Sequence, residues 1–100
     1  METSQNDIHI FPSSTIVHAQ SVVEAVVNGD VVLMSVKLGQ YYGLDAIGST
    51  IWRRTATPVT VEALCQGLAA HYAADYPTIL RDVCRLLEQM ASEGLIKVEY

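Results

Sequence analysis

The sequence predicts an α+β fold: a three-stranded antiparallel meander followed by three helices, in a winged helix-turn-helix-like order. Three observations carry this. The β-branched run Val22-Val23-Glu24-Ala25-Val26-Val27 ends at Asn28-Gly29, a pair suited to the positive φ angles of a tight hairpin. Apolar residues then recur at helical spacing in three later segments, around Ile51, Leu64 and Leu87. Finally, 100 residues, half of them hydrophobic and 17 % charged, suit one folded domain; the chain is too short for two cores and too apolar for disorder.

In chain order, residues 1–14 show no period and read as a mobile N-terminal arm, with 15–100 as the domain. Ile8, Ile10 and Phe11 are the apolar exceptions in that arm, open either to docking on the domain or to a partner contact. After the first strand and its Asn-Gly turn, residues 30–37 form the second strand. Leu38-Gly39-Gln40 turns the chain again, and Tyr41-Tyr42-Gly43-Leu44 makes a short third strand at the edge of the meander. Asp45 is placed to cap a helix over 46–54, because its carboxylate can accept from the first free helical N–H groups. Gly48 inside that helix costs about 1 kcal/mol relative to Ala, to be offset by close approach of the third strand or a neighbouring helix. Thr55-Ala56-Thr57-Pro58 interrupts the pattern, and Thr60 caps the second helix with Glu62 in its first turn. Leu64, Leu68 and Tyr72 line its apolar side. Pro77 suits the first turn of a third helix, which runs to Glu93 and stops at Gly94. Leu80, Val83, Cys84, Leu87 and Met90 repeat there at threes and fours, and Ile79 and Leu86 widen the stripe until it must meet more than one neighbour. Residues 95–100 are too few for a helix and read as a further strand.

Composition narrows the function. The net charge is −5, with six Lys and Arg in all, against the clustered cations that phosphate-backbone binding requires. A winged-helix order still raises a DNA-binding regulator as the alternative. Its reading helix would carry Arg81 and Arg85 against Asp82, Glu88 and Glu93, a net −1 that repels about as many phosphates as it attracts. No apolar run reaches the length of a membrane span, and the acidic, polar Met1–Asp7 stretch cannot act as a basic signal-peptide start. Two cysteines nineteen positions apart make no disulfide framework, so the expected setting is cytoplasmic.

Candidate chemistry is sparse. His9, His18 and His71 have no metal-ligand spacing to one another or to Cys65 and Cys84, and no metal, cofactor or catalytic residue is expected. Cys65 and Cys84 fall on apolar stripes, the usual place of a buried small hydrophobe. Arg81 and Arg85 lie near Cys84 on the same helix, which leaves a thiol-dependent enzyme as a further alternative. The third strand suggests something else. An edge strand shows unpaired N–H and C=O groups, to which an extended peptide can add as another strand. Tyr41 and Tyr42 point to opposite faces, so one can face the core while the other lines a groove whose second wall is the third helix. From the residues alone, ordinary core accounts for the tyrosines and the stripe equally well. The same edge could pair with a second copy, so a monomer or a weak homodimer is expected.

The run Leu33, then Gly39-Gln40-Tyr41-Tyr42-Gly43-Leu44-Asp45-Ala46-Ile47-Gly48-Ser49-Thr50-Ile51-Trp52, resembles the PqqD-like family. That family commonly shows an aliphatic strand, a turn, a Tyr/Phe-Leu-Asn segment, then a Gly followed by Ile/Leu-Trp. Thr60-Val61-Glu62-Ala63-Leu64 is similar to its Thr-Val-Glu-Glu-Leu helix start, and Asp82-Val83, Leu86-Leu87, Met90 and Gly94-Leu95-Ile96 to its closing helix and stop. Asp45 stands where the family more often has Asn, and keeps a capping side chain. The resemblance implies a non-catalytic recognition element for ribosomally synthesised, post-translationally modified peptides. Such a domain takes the leader segment of a precursor as a strand beside its third strand and presents it to a modifying enzyme or a leader protease. Discrete chains of this size serve both the quinone-cofactor (PQQ) and lasso-peptide pathways, and the long hairpin with Tyr41-Tyr42 leans toward the lasso type. Carried over, the groove comprises Gln40, Tyr41, Tyr42 and Gly43 on the strand, and Leu80, Val83, Cys84 and Leu87 on the helix, with Arg81 and Arg85 on its rim. Of these, Val83 and Leu87 could equally face the core.

Overall fold

The computed structural model describes residues 8–100. In chain order they form β1 (Thr15–His18), β2 (Val22–Val27), β3 (Asp30–Ser35), β4 (Gln40–Gly43), α1 (Ala46–Arg54), β5 (Val59–Thr60), α2 (Val61–Tyr72), α3 (Tyr76–Ser92) and β6 (Ile96–Glu99). The expected meander is the antiparallel sheet β2-β3-β4. Asn28 and Gly29 turn its first hairpin with φ of 54° and 85°, the left-handed pair that an Asn-Gly turn supplies.

A second sheet, not foreseen from the residues, has the order β5-β1-β6. Here the strand expected near the C-terminus finds its partner: Thr15 to His18 pair antiparallel with Glu99 to Ile96. The first described strand thereby pairs with the last, and Ile16 within β1 is fully buried. Residues 8–14 of the expected arm are docked on the domain. The Pro12 carbonyl accepts from Glu62 N at 2.9 Å, the Ser14 carbonyl accepts from Val61 N at 2.9 Å, and Ile10 packs against the core. The Phe11 ring meets Tyr100 edge-on at 6.3 Å. Residues 1–7 of that arm lie outside the described residues.

The helices start where their caps direct. Asp45 accepts from Gly48 N at 2.8 Å and Thr60 Oγ1 from Ala63 N at 3.2 Å. Asp75 caps α3 by accepting from Thr78 N at 3.1 Å. Gly48 is buried, and a Cβ there would lie 3.4 Å from Leu44 Cβ and 3.2 Å from the Asp45 carboxylate. Its cost to the helix is thus tied to the close approach of the chain leaving β4. Leu33, Ile51, Leu68 and Leu87 lie in the core between the helices and the two sheets.

One polar chain ties the sheets together. His18 of β1 stacks on Trp52 of α1, ring centroids 3.4 Å apart and nearly parallel, and its Nε2 lies 3.0 Å from the Trp52 carbonyl. That carbonyl can only accept, so Nε2 carries the proton. Trp52 Nε1 in turn donates to Glu24 of β2 at 2.8 Å.

Candidate functional site

β4 has one hydrogen-bonded neighbour, β3, so its other edge is unpaired among the described residues. Which main-chain groups it offers follows from register. Leu44 N donates to Val31 O at 2.9 Å, and in an antiparallel ladder the facing residues alternate. Gln40 and Tyr42 therefore also turn their main chain to β3, and Tyr41 and Gly43 present N–H and C=O outward. Gly43 is exposed, and a Cβ there would meet nothing within 4 Å, so internal packing does not demand a glycine at that point. Without a side chain, the end of the β4 edge stays accessible.

Beside this edge runs an open groove of about 290 Å³, lined on one side by Tyr42, Gly43 and Leu44 and on the other by Leu86, Gln89, Met90 and Glu93. It continues toward the start of α1 as a second space of about 350 Å³ between Leu44, Ile47, Gly48 and Leu86. Ile47 is 54 % exposed there, a large aliphatic side chain left in water at the groove mouth. The Tyr42 hydroxyl donates to Gln40 Oε1 at 2.8 Å, which fixes the ring on the groove side of β4. Tyr41 points to the outer sheet face and is 72 % exposed. The groove is thus apolar at its floor, polar at its rim, and edged by unpaired backbone.

The strand half of the expected site, Gln40, Tyr41, Tyr42 and Gly43, lies at this edge. The helix half needs correction. Val83 and Leu87 are 5 % and 0 % exposed and belong to the core. Leu80 and Cys84 are half-buried against the core, and at 3.6 residues per turn they sit about 120° and 160° around α3 from Leu86. Cys84 instead neighbours Cys65 of α2. Arg81 and Arg85 are exposed, and Arg81 pairs with its neighbour Asp82 at 3.4 Å. Leu86, Gln89 and Glu93 were missed as wall residues. Leu86 was visible as the residue that widened the stripe; the spacing 86, 89, 90, 93 marks a second face of the helix, partly hidden by its polar members.

Nothing here activates a thiol. Burial pushes the Cys84 thiol up, and the Glu88 carboxylate pushes it further; burial also pushes Cys65, with Cys84 beside it, up to about 11. A nucleophilic thiolate needs the opposite setting. Among the described residues no three His, Cys, Asp or Glu side chains gather as a metal-ligand group, and no helix is long and apolar enough to cross a membrane.

Fold and groove together define a class: a small α+β domain that holds one strand edge open against a helix. Residues 30–96 match the family described as coenzyme PQQ synthesis protein D (PqqD), and the chain belongs to that family. Among solved structures, the chain is similar to TbiB1, determined in complex with the TbiA(beta) leader peptide. The two are 32 % identical with a TM-score of 0.73, over 81 % of this chain and 94 % of that one. No curated protein matches the chain.

Proposed function

We propose that this domain binds the leader segment of a ribosomally made precursor peptide, without itself catalysing a reaction, and presents it to a modifying enzyme or leader protease. The leader adds antiparallel to β4, and its main chain meets the outward N–H and C=O groups of Tyr41 and Gly43. Alternate leader side chains turn toward Leu44, Leu86 and Met90. The observation that carries this reading is the unpaired β4 edge facing an apolar wall. Such an edge is an aggregation hazard unless it is covered or used, and strand addition uses both the backbone and the pockets beside it. The solved structure of TbiB1 with a leader peptide supports the same class of ligand. A place in a lasso-peptide pathway is the finer form of the proposal, again on the likeness to TbiB1.

The test is binding of a fluorescent leader peptide, taken from the precursor encoded beside this chain, measured by polarisation. Saturable binding that is lost in Gly43→Pro, which removes one outward N–H from β4, is the expected result. A folded Gly43→Pro protein that binds like the wild type would remove the strand-addition mode.

A further inference from the structure

Among the described residues the β2-β3-β4 sheet has a second open edge, and its chemistry differs from that of β4. Val36 N donates to Ser21 O at 3.0 Å. By alternation, Val23, Ala25 and Val27 turn their main chain to β3, while Val22, Glu24 and Val26 present theirs outward. Natural edge strands are commonly blunted by lysine, proline, a bulge or a covering element. β2 has six residues in unbroken register with β3 and carries no Lys, Arg or Pro. Its one charge, Glu24, is held against α1 by Trp52 Nε1 at 2.8 Å. Val23, Val26 and Val27 are 53 %, 61 % and 54 % exposed.

We propose that β2 is a self-association edge, and that two copies of this chain pair antiparallel through it about a two-fold axis. Self-pairing is favoured by the register that the backbone imposes. Outward main chain must meet outward main chain, so the axis falls on a residue and not between two. An axis at Glu24 sets the two carboxylates opposite one another, which is unfavourable. An axis at Ala25 places the smallest side chain of the strand on itself, Val23 opposite the partner's Val27, and Glu24 opposite the partner's Val26. Every pairing in that register is then apolar or has a single charge, and the two copies of Glu24 are kept apart. The outer faces also meet along Val23, Ala25 and Val27, beside a shallow, mostly apolar surface lined by Val23, Glu24, Ala25, Val32, Met34 and, two strands from the axis, Tyr41. The contact consumes the β2 edges and leaves both β4 edges open, so pairing and peptide capture do not compete.

Sedimentation velocity over a concentration series reads the proposal directly. The wild type is expected to pass from monomer to dimer as concentration rises into the high micromolar range, the behaviour of a small interface. Ala25→Lys sets two cations together at the axis, and Val26→Glu sets a carboxylate opposite the partner's Glu24. Each should raise the dissociation constant roughly tenfold or more. Val26→Lys, which faces the same Glu24, should associate at least as well as the wild type, and Tyr41→Lys on β4, two strands from the axis, should leave the dimer dissociation constant unchanged. All these side chains are exposed, Ala25 and Tyr41 on the outer face and Val26 on the α1 side, and far-UV circular dichroism confirms that each variant is folded. Should Ala25→Lys fail to fold, the Val26 pair carries the test. A wild type monomeric throughout, a dimer broken by Tyr41→Lys, or equal loss in Val26→Lys and Val26→Glu would overturn it.

Discussion

The two flanks of α3 are built from the same kinds of residue and do different work. On one flank Leu80 and Cys84 are half-buried against the core, with Cys84 beside α2, and Val83 and Leu87 between the flanks are buried. On the other, Leu86 is likewise half-buried, but with Gln89 and Glu93 it stands across an open groove from β4. Composition does not separate these flanks, since a leucine sits on both. What differs is whether the protein itself supplies the opposite surface.

Substitutions on each flank should therefore fail in different ways. The largest effect belongs to the core: Leu87→Ala should cost about 2–5 kcal/mol through lost burial and the cavity left behind, and Leu87→Asp should prevent folding. Urea denaturation followed by circular dichroism reads both. Across the helix, Leu86→Asp should destabilise far less than Leu87→Asp in the same assay, because Leu86 is only half-buried. It should weaken leader binding by roughly 2–3 kcal/mol, about 30- to 150-fold in affinity. Leu80→Asp is the discriminating control. It should lower stability about as much as Leu86→Asp does, since both are half-buried against the core, but leave leader affinity near that of the wild type, since Leu80 lies on the flank away from β4. If Leu80→Asp stays as stable as the wild type while losing the peptide, the flanks have been exchanged.

Acid should act on the core side of the molecule and not on the groove. Burial holds His18 below its ordinary 6.5, opposed by its bond to the Trp52 carbonyl and by the Glu24 carboxylate. The unfolded chain then binds more protons than the folded one between the two pKa values, so stability rises with pH in that window. The contribution is complete above about 6.5 and is lost as the pH falls through the folded value. Melting curves from pH 7.5 to 5 should show this slope in the wild type and a flatter one in His18→Gln. The smallest effect is local. Ala73 ends α2 at φ 51°, a left-handed conformation that costs a residue bearing a Cβ. Ala73→Gly should stabilise the fold by about 1 kcal/mol, with no change in peptide affinity.

Local signals were the legible ones. The Asn28-Gly29 turn, the Asp45 and Thr60 caps and the stop at Gly94 each act within a few residues, and the structure has them where the residues predict. The β5-β1-β6 sheet was not legible, because β1 is four residues long and its main partner lies at the other end of the chain. Two-residue β5 carries no periodic signal at all. The strand half of the groove was legible for the same reason as the turns: a hairpin fixes which strand is last. The helix half was not. Apolar spacing on α3 tells which residues avoid water, and a stripe that wraps more than half the helix cannot tell which neighbour each one meets. Only the placement of β4 and α2 on opposite flanks decides that Leu86 faces the groove and Cys84 does not.

Amide hydrogen exchange at Tyr41 and Gly43, with and without the leader peptide, bears most directly on strand addition at β4. Both amides point outward from an unpaired edge, so both should exchange rapidly in the free protein and slow markedly when the peptide is bound. The Tyr42 amide, already turned to β3, should change much less. Peptide binding that leaves Tyr41 and Gly43 exchanging at their free rates would contradict capture at this edge.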